Sequence, residues 1–123
     1  MNSTTLLLRQ IHPGFIQNGR VTSQAFRPTP KDEQKLSMYD RDQIAPQAAH
    51  RHYTETLGCA SIGVLGVTVA ECTELDLPAI PDPEPFLEHV VLDYSAFPKN
   101  VIETKAKLLK SKAETRGWLF GPI

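Results

Sequence analysis

The stretch from Arg9 to Arg27 gathers Arg, His, Gln, Thr and Ser around tight turns. Arginine holds phosphate or carboxylate through two parallel N–H donors, and Ser and Thr hydroxyls add further hydrogen bonds. His12, Arg20, Ser23, Gln24 and Arg27 are therefore candidate ligands of a small anion, with Tyr39 or Asp40 closing the site. In an enzyme His12 would move the proton and the arginines would neutralise the charge. The reading carries a geometric requirement: these side chains must converge on one concave pocket. Its competitor is a polar hairpin with ordinary exposed side chains. No Gly-x-Gly-x-x-Gly or Walker-type spacing favours the sharper choice.

Other constellations are weaker. A metal site would need three of His12, His50, His52 and His89 to converge. His50 and His52 are two apart on a predicted helix and point in different directions. His12 precedes Pro13 at a strand end, where a ring often satisfies a turn, and His89 is expected to be partly exposed beside acidic residues. Asp40 and Asp42 can serve acid–base work or bind Mg²⁺, but near-neighbour carboxylates in a turn are common. Cys59 and Cys72 lack a Cys-x-x-Cys companion and read as small buried hydrophobes rather than metal ligands. No metal and no cofactor is expected.

The elements that must position these groups follow from periodicity and punctuation. Residues 5–11 read as a Leu-rich strand ending at His12-Pro13-Gly14, and Asn18-Gly19 marks a tight turn. Residues 20–26 are expected as a second strand with Val21, Ser23 and Ala25 on one face, and residues 36–39 as a third. Pro46 fits the first turn of a helix running to about Leu57, with Gly58 past its end. Residues 62–67 form a buried strand, and Thr68-Val69-Ala70-Glu71 matches a capping box opening a short helix. The four prolines between Pro78 and Pro85 predict extended loop. Residues 88–94 read as a strand. The longest helix runs from Pro98 to about Arg116, with Ile102, Ala106, Leu109 and Ala113 as its apolar stripe. Trp118-Leu119-Phe120 is too apolar to dangle and is expected to dock on the core. The pattern predicts an α+β fold: one small curved, mainly antiparallel sheet of four to six strands with two main helices on one face, in a single domain over 1–123.

With 123 residues, 41% hydrophobic and 22% charged, the chain has the proportions of a globular domain. The net charge of −1 hides segregation. Residues 1–51 sum to +3, residues 52–98 contain no Lys or Arg and sum to −8, and residues 99–123 sum to +4. Basic ends folding against an acidic middle is the simplest resolution. The Lys residues of the last helix spread over most of its polar circumference, which suits a solvated face better than a nucleic-acid surface. The only run near the N-terminus, Leu6-Leu7-Leu8, is interrupted by Arg9, so no secretory or membrane segment is expected and a cytoplasmic location is.

Ile11-His12-Pro13, Gly19 to Pro28, Leu36 to Asp40, Gly66 to Glu71, Pro81-Asp82-Pro83 and Arg116 to Leu119 together resemble a family of small bacterial proteins without assigned function. The resemblance implies a bacterial cytosolic protein and brings no activity, ligand or catalytic residue with it. Two readings stand. The first is a non-enzymatic protein-interaction module or small subunit whose charged faces orient docking on another protein. The second is a small enzyme or binding domain for a phosphate-bearing or nucleotide-like ligand, using the Arg9–Arg27 segment.

Overall fold

Seven strands and three α-helices make up the computed structural model, which describes all residues from Met1 to Ile123. The strands are β1 (Leu6–Gln10), β2 (Ile16–Gln17), β3 (Arg20–Val21), β4 (Lys35–Asp40), β5 (Val64–Thr68), β6 (Ala79–Pro81) and β7 (His89–Asp93). The helices are α1 (Pro46–Arg51), α2 (Val69–Thr73) and α3 (Lys99–Arg116). Five strands form one antiparallel sheet in the order β5-β1-β4-β7-β6, and β2 pairs with β3 in a separate ribbon. The chain is an α+β protein, as its pattern predicts.

Side chains alternate across a strand, and this divides the core in two. Leu7, Leu36, Met38, Leu65, Val67, Val90 and Leu92 face one way and meet Ile102, Ala106, Leu109 and Ala113 of α3. Their neighbours Leu8, Tyr39 and Val64 face the other way and pack on Ala49 of α1. The predicted stripe of α3 is therefore the buried one. The expectation that both main helices share a face is corrected: α1 and α3 lie on opposite faces, because Leu7 and Leu8 are both fully buried and each face needs its own cover.

Three local expectations also change. Residues 20–26 are not one strand. Asn18 and Gly19 both have positive φ, 51° and 76°, and make a tight hairpin whose ladder ends after Ile16–Val21 and Gln17–Arg20. Ser23–Phe26 then forms a 3₁₀ turn that buries Ala25 and Phe26. The proline stretch is not all loop, since β6 pairs with β7 at the sheet edge, where a missing N–H is tolerated. The helix from Pro46 stops being α-helical after Arg51 and widens into a π turn, His52–Thr56. Gly58, at φ 67°, then reverses the chain.

The capping box is present in full: Glu71 N–H donates to Thr68 Oγ1 at 3.1 Å and Thr68 N–H donates to Glu71 Oε1 at 2.8 Å. The C-terminal apolar segment docks as expected. Leu119 N–H donates to Val64 O and Val64 N–H donates to Phe120 O, both at 2.9 Å, so this segment covers the free edge of β5. Basic end meets acidic middle where Arg116 pairs with Glu71 at 2.9 Å and Lys112 with Glu74 at 3.9 Å. No helix is long and apolar enough to cross a membrane.

Candidate functional site

The central sheet is split. β1 and β4 pair at only two positions, Leu7 with Asp40 and Leu8 with Tyr39. Beyond them Arg9 and Gln10 continue with Leu65 and Val64 of β5. Met38 and Ser37 continue with Val90 and Val91 of β7. Antiparallel ladders alternate between bonded and non-bonded pairs. Tyr94 N–H donates to Gln34 O and Asp40 N–H donates to Glu88 O, so Leu36 and Met38 bond toward β7 and the backbone of Ser37 turns toward the gap. The Arg9 side chain spans that gap. Its Nε donates to Ala25 O at 2.6 Å and its Nη1 donates to Ser37 O at 3.1 Å.

A cavity of about 400 Å³ opens at this fork. Arg9 and Gln10 of β1 form one side and Lys35 to Tyr39 of β4 the other. Arg27, Pro28, Thr29 and Asp32 come from the connection between β3 and β4, Tyr53 and Leu57 from the π turn and its end, and Pro85, Phe86 and His89 from the approach to β7. π turns recur at functional sites because the extra residue re-aims side chains. Here the widened turn carries Tyr53 to the cavity wall.

The cavity is electropositive. Arg9, Arg27 and Lys35 line it against a single carboxylate, Asp32, which accepts from the Thr29 hydroxyl at 2.9 Å. Lys35 pairs outward with Glu33 at 3.4 Å. Arg9 and Arg27 take part in no ion pair. Arg27 Nη2 donates to Ser23 Oγ at 3.3 Å, but its buried Nε has no partner, and neither has Nε2 of Gln10. Gln10 is 5% exposed, and its amide oxygen is held by the Ser61 hydroxyl at 2.8 Å. A buried donor without an acceptor costs about 1–3 kcal/mol. Burial also pushes the Arg9 guanidinium below its ordinary pKa, opposed by Tyr53 and Tyr94. Arg27 and Gln10 thus each bring one buried donor without an acceptor to the cavity lining.

The opposite wall is aromatic. Phe86 stacks on Tyr39, with centroids 4.8 Å apart and planes 28° from parallel. His52 and His89 meet the Phe86 ring edge-on at 4.7 Å and 5.0 Å. The Tyr39 hydroxyl and His52 Nδ1 are 2.7 Å apart. Burial raises the pKa of both Tyr39 and Tyr53, so both phenols are neutral.

Of the seven residues proposed from sequence, Arg27 and Tyr39 line the cavity, and Ser23 reaches it through Arg27. The other four lie elsewhere. His12 caps its 3₁₀ turn by accepting from Gly14 N–H at 2.8 Å. Arg20 extends from the separate hairpin to Glu114 of α3 at 3.3 Å. Gln24 is exposed. Asp40 accepts from Asp42 N–H and from the Gln43 amide within its own turn. Full convergence fails because Ser23–Phe26 is a 3₁₀ turn and Arg20 belongs to another ribbon. His89, expected to be partly exposed, is 7% exposed. No group of three or more His, Cys, Asp or Glu side chains is placed to hold a metal ion; of the two free cysteines Cys72 is buried, but Cys59, expected to be buried, is exposed.

Arg9, Gln10, Lys35, Ser37, Tyr53, Phe86 and His89 are among the cavity residues that were not candidates from sequence. One signal pointed to two of them: Lys35 and Ser37 alternate, with Tyr39, against Leu36 and Met38. That places a row of polar groups on one face of a central strand. No protein family, curated protein or solved structure matches the chain.

Proposed function

We propose that this chain is a binding domain for a small molecule bearing a phosphate or carboxylate. The anionic group would lie against Arg9 and Arg27, and a planar or apolar remainder would lie against Phe86 and Tyr39. The observation that carries this reading is the pair of arginines without a carboxylate partner, beside unpartnered Arg27 Nε and Gln10 Nε2, at one cavity. A guanidinium with open N–H groups donates to an oxyanion bidentately, and such a ligand would supply acceptors for Arg27 Nε and Gln10 Nε2. The volume suits a metabolite-sized ligand.

The test is an amide-resolved NMR titration with adenosine monophosphate and with inorganic phosphate. Saturable shifts at Arg9, Arg27 and Ser37 that weaken as salt rises support the reading, and Arg27→Gln should reduce affinity at least ~10-fold. Absence of saturable shifts at millimolar probe overturns it. A non-enzymatic protein-interaction module would then be the better reading, with partner capture as the next step.

A further inference from the structure

One cavity wall carries a second arrangement that anion binding does not use. Ser37 and His89 lie on neighbouring strands, β4 and β7, on the same sheet face, two positions apart in register. Ser37 Oγ is 3.1 Å from His89 Nε2. On the other side of the ring, His89 Nδ1 is 3.0 Å from the Asp82 carbonyl oxygen and 3.3 Å from Asp82 Oδ2. A carbonyl oxygen only accepts, so Nδ1 carries the hydrogen, and the neutral ring presents a bare Nε2 to the serine. Ser37 therefore donates its hydroxyl hydrogen to His89. Ser37 is exposed and lines the cavity, while His89 is buried and held on both nitrogens.

We propose that Ser37 is a nucleophile and His89 its general base, with Asp82 as a positioning residue, and that the cavity hydrolyses small carboxylic esters. A hydroxyl hydrogen-bonded to an imidazole, with a carboxylate oxygen 3.3 Å from the far ring nitrogen, supplies the three groups this chemistry uses whatever the fold or chain order. Oγ bonds to the acyl carbon as its proton passes to Nε2. The carbon–oxygen bond to the alcohol then breaks, and the alcohol leaves with that proton. Water adds to the acyl carbon and gives a proton to Nε2. The bond to Oγ breaks, Oγ recovers the proton, and the carboxylic acid departs. Charge developing on the acyl oxygen would meet Arg9, Arg27 and Lys35 and the N–H of Ser37, which the ladder turns toward the same gap. The relay stands without the anion-binding reading; the preference for an acyl group that itself carries a carboxylate rests on that reading.

An alkyl fluorophosphonate, 4-nitrophenyl benzoate and 4-nitrophenyl 4-carboxybenzoate serve as probes. Intact-mass and peptide mapping of the unmodified protein should place a single fluorophosphonate adduct on Ser37. Release of 4-nitrophenol should fall at least ~100-fold in Ser37→Ala, an exposed position whose folding is checked by circular dichroism, and similarly in His89→Gln. Asp82→Asn should lower it roughly tenfold and Asp82→Glu restore it, because the carbonyl of residue 82 keeps the tautomer in both. No adduct, an adduct on another residue, or unchanged release by Ser37→Ala overturns the proposal. If Ser37 is labelled but the two esters are cleaved equally, the relay stands and the anion preference fails. If phosphate binds at Arg27 but Ser37 is not labelled, the binding reading stands and the esterase fails.

Discussion

Arg9 and Arg27 sit at the two ends of the segment singled out by composition, and their surroundings predict opposite behaviour. Arg9 bridges Ala25 O and Ser37 O across the split sheet. Arg9→Met should lower unfolding free energy by about 1–3 kcal/mol in urea titrations, since both carbonyls lose a charged donor. Arg27 makes one long hydrogen bond, to Ser23. Arg27→Gln should change stability by less than about 0.5 kcal/mol while removing the rise in melting temperature that an anionic ligand gives the parent. Tyr94 is a control that does not line the cavity. It is fully buried, and its hydroxyl donates to Phe26 O at 2.7 Å. Tyr94→Phe should cost about 1–2 kcal/mol and leave phosphate affinity unchanged.

Two glycines of the β5 region let the C-terminal segment close over the sheet edge. A Cβ at Gly63 would lie 2.6 Å from Phe120 O and 2.9 Å from Trp118 Cζ3. At Gly66 the nearest atom would be Leu119 Cδ1, at 2.6 Å. Backbone cannot yield as a side-chain tip can, so Gly63→Ala should cost about 2–3 kcal/mol in denaturant titrations and Gly66→Ala about 1 kcal/mol. The reverse order would mean that the segment does not pack on β5 in solution. The short α2 depends on its cap in the same way, and Thr68→Ala should cost about 1 kcal/mol.

Across the whole molecule, charge pairing sets the limits of stability with pH. Burial pushes the Glu71 carboxyl up, but hydrogen bonds from Arg116 and from Thr68 N–H outweigh it and hold the carboxyl below its ordinary 4.5. Lys110 lowers Glu114, and Ser95 lowers Asp93. A depressed carboxyl stabilises the fold above its unfolded value, and this is lost as pH falls through the folded value. Thermal melts should therefore hold steady down to about pH 5 and decline below it, and Glu71→Gln should narrow its difference from the parent over the same range. Tyr39, Tyr53 and Tyr94 are raised by burial. Their unfolded forms ionise first, so stability falls again above about pH 10.

Features decided by local physics are legible in the chain. The Ile102, Ala106, Leu109, Ala113 stripe, the Thr68–Glu71 cap, the Asn18–Gly19 turn and the docking of Trp118 to Phe120 follow from spacing and from residue conformational preference. So does the α+β class. The candidate site is different in kind. It exists because β1 leaves β4 after two pairs, which brings Arg9, Ser37, Phe86 and His89 together from distant parts of the chain. Strand pairing is non-local, and neither alternation nor punctuation encodes where a ladder stops. Tertiary structure alone therefore decided that Arg27 and Tyr39 share a cavity while His12, Arg20, Gln24 and Asp40 serve turns and surface.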